Sequence, residues 1–322
     1  MRDVCSVVRP RAGVCAIVAV AVLLGACGQS DDDAASNASK RSTSSSTVSA
    51  GTAAAPAPLP EPVQQLEIDA TEYTFTISPD PAGGLKPGWT LLKFHNAGVE
   101  AHQVMFARIK DGVDMSELAA AGANDSSGAG AIEFVDMIGG VSYIGPDQDT
   151  TALVNLTEGT VMAMCYVPDA KGVAHALMGM TKVLTVSAPS DQASSSEPES
   201  GGEEVLGTIE LSEDGYRVPD DVGAGWYHVE NTDSALHELS LLRLGGSIDD
   251  DEAAVLVQDL AANKTPQVEL EAVGGMGAIS PGFDGYLYLD LAPGDYLAVD
   301  FMPDPGEPRP HMVDGYYRRF SI

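Results

Sequence analysis

Apolar and polar residues alternate in part along 66–77, LEIDATEYTFTI, which is also rich in Thr and aromatic residues. That period of two predicts a strand with one buried face. Ser78-Pro79-Asp80-Pro81 ends it, because two prolines cannot donate to a ladder and favour a turn. Similar apolar runs predict strands at 89–94, 102–109, 151–156, 161–166 and 181–186. Two stretches read instead as helices, a short one at 115–120 and a longer one at 248–262. The longer helix opens on Asp249, Asp250, Asp251 and Glu252. Four carboxylates could belong to a calcium loop, but acidic residues also favour a helix N-terminus through the macrodipole, and that reading is preferred.

The pattern occurs twice. At an offset of 135 residues, Ile138-Gly139-Gly140 matches Val273-Gly274-Gly275 and Pro168-Asp169 matches Pro303-Asp304. Leu156, Gly159 and Ala163 fall on Leu291, Gly294 and Ala298, and Asn96 and His102 fall on Asn231 and His237. Gly88-Trp89 and Gly225-Trp226 match with a two-residue slip. The chain is therefore read as a duplicated domain of about 120 residues, too large a unit for a solenoid repeat. Each copy is expected to be a β-sandwich carrying one helical excursion.

Flanking these copies are segments of a different kind. Arg2, Arg9 and Arg11 precede an apolar run over 12–24, the length of a secretory leader and too short to span a bilayer unaided. Leu24-Gly25-Ala26-Cys27 resembles the bacterial lipobox, which implies cleavage before Cys27 and lipid attachment to its sulfur. The expected order is a lipoprotein signal peptide over 1–26 and a flexible tether over 27–62. Domain 1 follows over 63–186, then a Ser/Glu/Pro/Gly linker over 187–204 and domain 2 over 205–322. The protein is expected to be exported and lipid-anchored to the cell envelope. With 47 Asp+Glu against 17 Lys+Arg, its net charge of −30 excludes nucleic acid as a partner.

The charge excludes partners but names no chemistry; the cysteines do. Cys5, Cys15, Cys27 and Cys165 are too unevenly placed for a disulfide framework, and processing would leave Cys165 as the single thiol of the mature chain. His102 lies upstream of it, and His175, Met178 and Met180 lie downstream. Two imidazoles, one thiolate and a thioether are a soft ligand set suited to a blue-copper centre. Singly, each of these residues reads as well as core: a buried histidine, a small buried cysteine, packing methionines.

At these residues the chain resembles the cupredoxins. NAGVEAHQVMF, from Asn96 to Phe106, is similar to the first-histidine segment of plastocyanins. CYVP from Cys165 and HALMGM from His175 to Met180 are similar to the Cys…His…Met loop. Nine residues separate Cys165 from His175, a gap closer to the type 1 loop of copper nitrite reductases than to plastocyanin or azurin. The resemblance implies an all-β chain of two cupredoxin-like Greek-key β-sandwiches, each with a short helical insertion, and one type 1 copper in domain 1. By family role His102 and His175 would be equatorial ligands, Cys165 the thiolate and Met180 the axial ligand, chosen over Met178 by the usual four-residue gap. Asn96 would stand behind the ligands and tie the two ligand loops together.

In the second copy His237 and His311 replace the histidines, but Asp300 stands for Cys165 and Tyr316 for Met180. Two His and an Asp could hold zinc or Cu(II). The preferred expectation is a degenerate site whose histidines bond to loop backbone. Met164 precedes Cys165 and no His-x-His pair occurs, so the histidines of a second copper centre are absent and no substrate turnover is expected. Two functions remain. The first is a membrane-anchored protein that carries single electrons or holds copper, with an unidentified redox partner. The alternative is a metal-free surface scaffold binding a protein or glycan.

Overall fold

The computed structural model describes residues 58–124, 129–187, 203–262, 264–307 and 309–322. The expected leader, the lipidation site Cys27 and most of the tether and linker lie outside the described residues. No helix of the described residues is long and apolar enough to cross a membrane.

The first copy has eight strands: β1 Gln64–Thr71, β2 Thr74–Ser78, β3 Gly88–Asn96, β4 His102–Ile109, β5 Val135–Ile144, β6 Asp149–Leu156, β7 Gly159–Met164 and β8 Thr181–Val186. The second repeats them as β9 Val205–Ser212, β10 Gly215–Arg217, β11 Gly225–Asn231, β12 His237–Leu244, β13 Leu270–Ile279, β14 Asp284–Leu289, β15 Asp295–Val299 and β16 Tyr317–Ser321. One layer of the first copy runs β6-β3-β1-β2 and the other β5-β4-β7-β8; the second copy gives β14-β11-β9-β10 and β13-β12-β15-β16. In both copies the first and third strands pair in parallel while the rest pair antiparallel, which makes each copy a Greek-key sandwich.

Alternation explains the elements. In β1, Leu66, Ile68 and Ala70 are buried while Gln65, Glu67 and Asp69 alternate with them on the open face. β4 is buried on both faces for a different reason. Val104 and Phe106 enter the sandwich core, whereas Met105, Ala107 and Ile109 pack in a second cluster with Leu118 and Ala131 of the helical excursion, α1 Met115–Asn124 and α2 Ala129–Ile132. In the second copy α3, Asp250–Ala261, covers the corresponding face, with Leu256, Val257 and Leu260 against Leu242 and Leu244. Asp249 caps α3 in a capping box with Glu252, as expected for acidic residues at a helix start.

Two expectations are corrected. The segment 66–77 is two strands, because the chain reverses at Glu72 and Tyr73, the latter at φ +54°. β5 and β13 are absent from the strands expected from the sequence. The two copies pack together, since each sheet continues from one copy into the other through the pairs β5–β13 and β6–β14. At the first junction Val141 faces Met276, and at the second Ala152 faces Leu287, each residue meeting its own counterpart 135 positions on. The copies are thus related by a local two-fold axis, the arrangement of an isologous dimer within one chain.

The second glycine of each Gly-Gly pair serves the pairing within its own copy, of β5 with β4 and of β13 with β12. Gly140 and Gly275 adopt φ +136° and +126°, and a side chain at either would run into the carbonyl oxygen of Val104 or Leu239 on the neighbouring strand. The ladder is irregular there on both β4 and β12, the strands that begin with His102 and His237.

Candidate metal centre

Three short main-chain features bring the first copy's ligand set to one end of the sandwich. His102 opens β4, and Cys165 follows β7 directly. A turn of 3-10 helix over His175–Met178 then presents His175, and Gly179, at φ +107°, lets the chain turn back so that Met180 leads into β8. The Cys165 amide donates to the Met180 carbonyl at 3.2 Å, the Ala176 amide to the Cys165 carbonyl at 2.7 Å, and the Met180 amide to the His175 carbonyl at 3.0 Å. Cys165, His175 and Met180 are therefore held as one unit by backbone bonds, whatever their side chains do.

Those side chains converge. His102 Nδ1 lies 3.1 Å from His175 Nδ1, and Cys165 Sγ lies 3.9 and 3.5 Å from the same two atoms. Ligands about 2.0–2.3 Å from a common centre stand roughly 3.3–4.0 Å apart at tetrahedral to trigonal angles, so the triangle is within a few tenths of an ångström of the size of a coordination plane. All three residues and Met180 are fully buried, whereas Met178 is only partly so. Burial, together with the neighbouring His175, pushes the His102 imidazole down to about 4 against the pull of Glu72. Burial also lowers His175, opposed by Glu100. Both rings are neutral at neutral pH, so each keeps one bare nitrogen, the form a metal requires. Burial pushes the Cys165 thiol up to about 12.

The outer nitrogens meet carboxylates that sequence reasoning did not single out. Glu100 Oε2 lies 3.0 Å from His175 Nε2, and Glu72 Oε1 lies 3.6 Å from His102 Nε2. These are close contacts rather than aligned hydrogen bonds, since neither Nε2 has a hydrogen-bonded partner among the described residues. Tyr73 stands edge-on to the His175 ring, centroids 4.9 Å apart, and its hydroxyl donates to Glu100 at 3.4 Å. Glu72 is held by the amides of Val99 and Glu100. Burial would raise its carboxyl, but these amides and the charge of His102 outweigh that and hold it below the usual range. Carboxylates on the outer nitrogen fix a ring's tautomer and leave Nδ1 for the centre. The sequence offered one clue, that Glu100 stands two residues before His102; nothing linear connects the β1–β2 turn to His175.

Asn96 is fully buried and donates to the carbonyls of Glu100 at 2.8 Å and Ile144 at 3.0 Å, while accepting from the Gly98 amide at 2.9 Å. It fixes the loop that leads to His102, and none of these bonds reaches the Cys165–Met180 loop. Asn231 makes the same three bonds, to Ala235, Ile279 and Asp233, in the copy without a cysteine. This asparagine belongs to the architecture of the loop rather than to one ligand set.

In the second copy His237, Asp300 and His311 come together in the same way. Their histidines do not bond to loop backbone as expected. His237 Nδ1 and His311 Nδ1 lie 2.6 and 3.0 Å from one oxygen, Asp300 Oδ2. Tyr316 stacks on His237 with centroids 3.9 Å apart.

The strand order of each copy, with histidine, cysteine and methionine gathered at one end of the first, decides the architecture. The fold is cupredoxin-like. Solved structures similar to a single cupredoxin-like copy include a dithionite-reduced auracyanin from the photosynthetic bacterium Roseiflexus castenholzii, at 20% identity over 38% of this chain and 96% of that one, with a TM-score of 0.28. Auracyanin A, a "blue" copper protein from Chloroflexus aurantiacus, is 16% identical over 39% of this chain and 100% of that one, with a TM-score of 0.26. A multicopper oxidase is 13% identical over 80% of this chain and 88% of that one, with a TM-score of 0.22. Similarity at this level says nothing about function. No protein-family model and no curated protein matches the chain.

Proposed function

We propose that this is a copper-binding, cupredoxin-like protein that holds one copper at His102, Cys165 and His175, with Met180 closing the site, and carries single electrons or stores the metal. The observation that carries the reading is the fully buried triangle of two Nδ1 atoms and one Sγ, with edges of 3.1, 3.5 and 3.9 Å. Copper would supply a one-electron couple there. The chain's own part is to hold the donors still. The backbone bonds among Cys165, Ala176, His175 and Met180 fix three of the four residues, and Glu72 and Glu100 face the protons on the outer nitrogens. Loading requires the Cys165 proton to leave. A thiol pushed to about 12 does not ionise spontaneously at neutral pH, so the thiolate forms together with binding.

The same reading includes the anchor. Lipid on Cys27 and the polar segment after it would tether the sandwich to the cell envelope, where a redox partner would meet it. No substrate turnover is proposed, because Met164 precedes Cys165 and no His-x-His pair supplies a second copper centre.

The test is the visible absorption spectrum of the metal-free protein before and after one equivalent of Cu(II). An intense thiolate-to-copper band that vanishes in Cys165→Ser is the expected result. Its absence, with no copper retained, would overturn the reading and leave a metal-free binding scaffold.

A further inference from the structure

The second copy has lost the thiolate but kept the convergence. Asp300 is fully buried, and its two oxygens are differently employed: Oδ1 accepts from the Met302 amide at 2.8 Å, while Oδ2 faces the Nδ1 atoms of both histidines. Each ring also meets a second carboxylate on its far side. Asp233 Oδ2 lies 3.0 Å from His237 Nε2, and Asp304 Oδ1 lies 3.4 Å from His311 Nε2. Both rings are thus flanked by carboxylates on both nitrogens, and a neutral imidazole has only one N–H to give. Although burial lowers His311, Asp300 and Asp304 outweigh it and favour a second proton there, whose place on Nδ1 a cation would take. A divalent cation between the two Nδ1 atoms and Oδ2 would let each ring keep its proton on Nε2, directed at Asp233 and Asp304. This is the carboxylate–histidine–metal arrangement that orients ligand rings.

We propose that His237, Asp300 and His311 form a second metal site that takes a divalent cation of the zinc type. The chemistry of the donors sets the class. Two imidazoles and one carboxylate suit Zn(II) or Cu(II) and, without sulfur, do not favour Cu(I). Ligands about 2.0 Å from a cation stand roughly 3.3–3.5 Å apart, so the 2.6 Å pair must open by a little under one ångström, a rotation of the Asp300 carboxylate about the bond that Oδ1 accepts. Access is from the His311 side. His311 is 12% exposed and Asp304 beyond it is 60% exposed, whereas Tyr316 covers His237 on the other face. The chain then sorts two metals with one architecture, a soft site where Cys165 stands and a harder one where Asp300 replaces it.

Cys165→Ser protein isolates this site from the first. After stripping with a chelator, reloading with Zn(II) and desalting, it should retain one equivalent of Zn(II), counted by elemental analysis. Co(II) as a spectroscopic probe should give d–d bands with no thiolate charge-transfer band. Both should be lost in Cys165→Ser/Asp300→Asn and, if that variant fails to fold by circular dichroism, in Cys165→Ser/His311→Ala. A folded Cys165→Ser protein that retains no Zn(II) would overturn the proposal. So would Zn(II) retained undiminished in the folded double variants, which would assign it to the acidic surface. Neither result bears on the copper band of the first copy, which is measured separately.

Discussion

Replacing Gly140 by alanine tests the close approach of β5 to β4, the strand that His102 opens. The added methyl would meet main chain, the Val104 carbonyl oxygen and Met105 Cα at 3.0 Å, so no side-chain rotation relieves it. Two penalties add. A non-glycine residue at φ +136° costs of the order of 1–3 kcal/mol, and overpacking against a fixed neighbour costs about 1–3 kcal/mol more. The expected loss is therefore about 2–6 kcal/mol, a large share of the roughly 5–15 kcal/mol that holds most domains. Gly83→Ala is the control, since nothing lies within 4 Å of the added atom, and it should change stability by no more than about 0.5 kcal/mol. The assay is urea unfolding followed by tryptophan fluorescence, with Trp89 on β3 in one copy and Trp226 on β11 in the other. Because both sheets run through both copies, both tryptophans should report one transition, shifted to lower urea with an unchanged slope. Val104 is two residues beyond His102, so copper retention should weaken as well. A Gly140→Ala protein within about 1 kcal/mol of the parent would refute the reasoning, because the close approach of β5 to β4 would then be dispensable.

Glu100→Gln keeps the shape beside His175 but removes the charge; copper affinity, measured by competition with a chelator, should fall about tenfold or more, and an unchanged affinity would reduce Glu100 to a cover. Glu238 gives a pH prediction. It is buried, it accepts hydrogen bonds from Tyr143 across the junction and from the Phe301 amide, and burial followed by the charge of Asp300 pushes it up to about 8. A carboxyl raised in the folded state contributes stability that is full below its ordinary value of 4.5 and is lost as pH rises through about 8. Glu238→Gln, which matches the buried Gln103 of the first copy, should therefore flatten the decline in melting temperature between pH 5 and 8, and an unaltered pH profile would count against a carboxyl held neutral there.

Much of the cluster formed by the first copy's candidate ligands was legible in the sequence because it is local. The Cys165, His175 and Met180 spacing sits in one loop closed by its own backbone bonds, and strands such as His102–Ile109 and Thr181–Val186 follow from apolar runs between turn residues. The duplication was legible too, since it is a property of the letters. What the letters could not show is which surfaces meet. The Gly-Gly pairs mark the repeat in the sequence, yet only the structure shows that Gly140 and Gly275 let β5 and β13 approach β4 and β12, and that β5 and β13 pair to join the two copies. Glu72 and Tyr73 reach His102 and His175 only because a hairpin turn folds over them. Of the four carboxylate contacts around His237 and His311, three lie within their own loops, whereas the pairing of Asp300 with His237 needs a loop brought back beside a strand start some sixty residues earlier. Periodicity and spacing encode what a segment does with its near neighbours. The electrostatics of a buried nitrogen depend on whatever group is packed against it, and only the tertiary structure decides that.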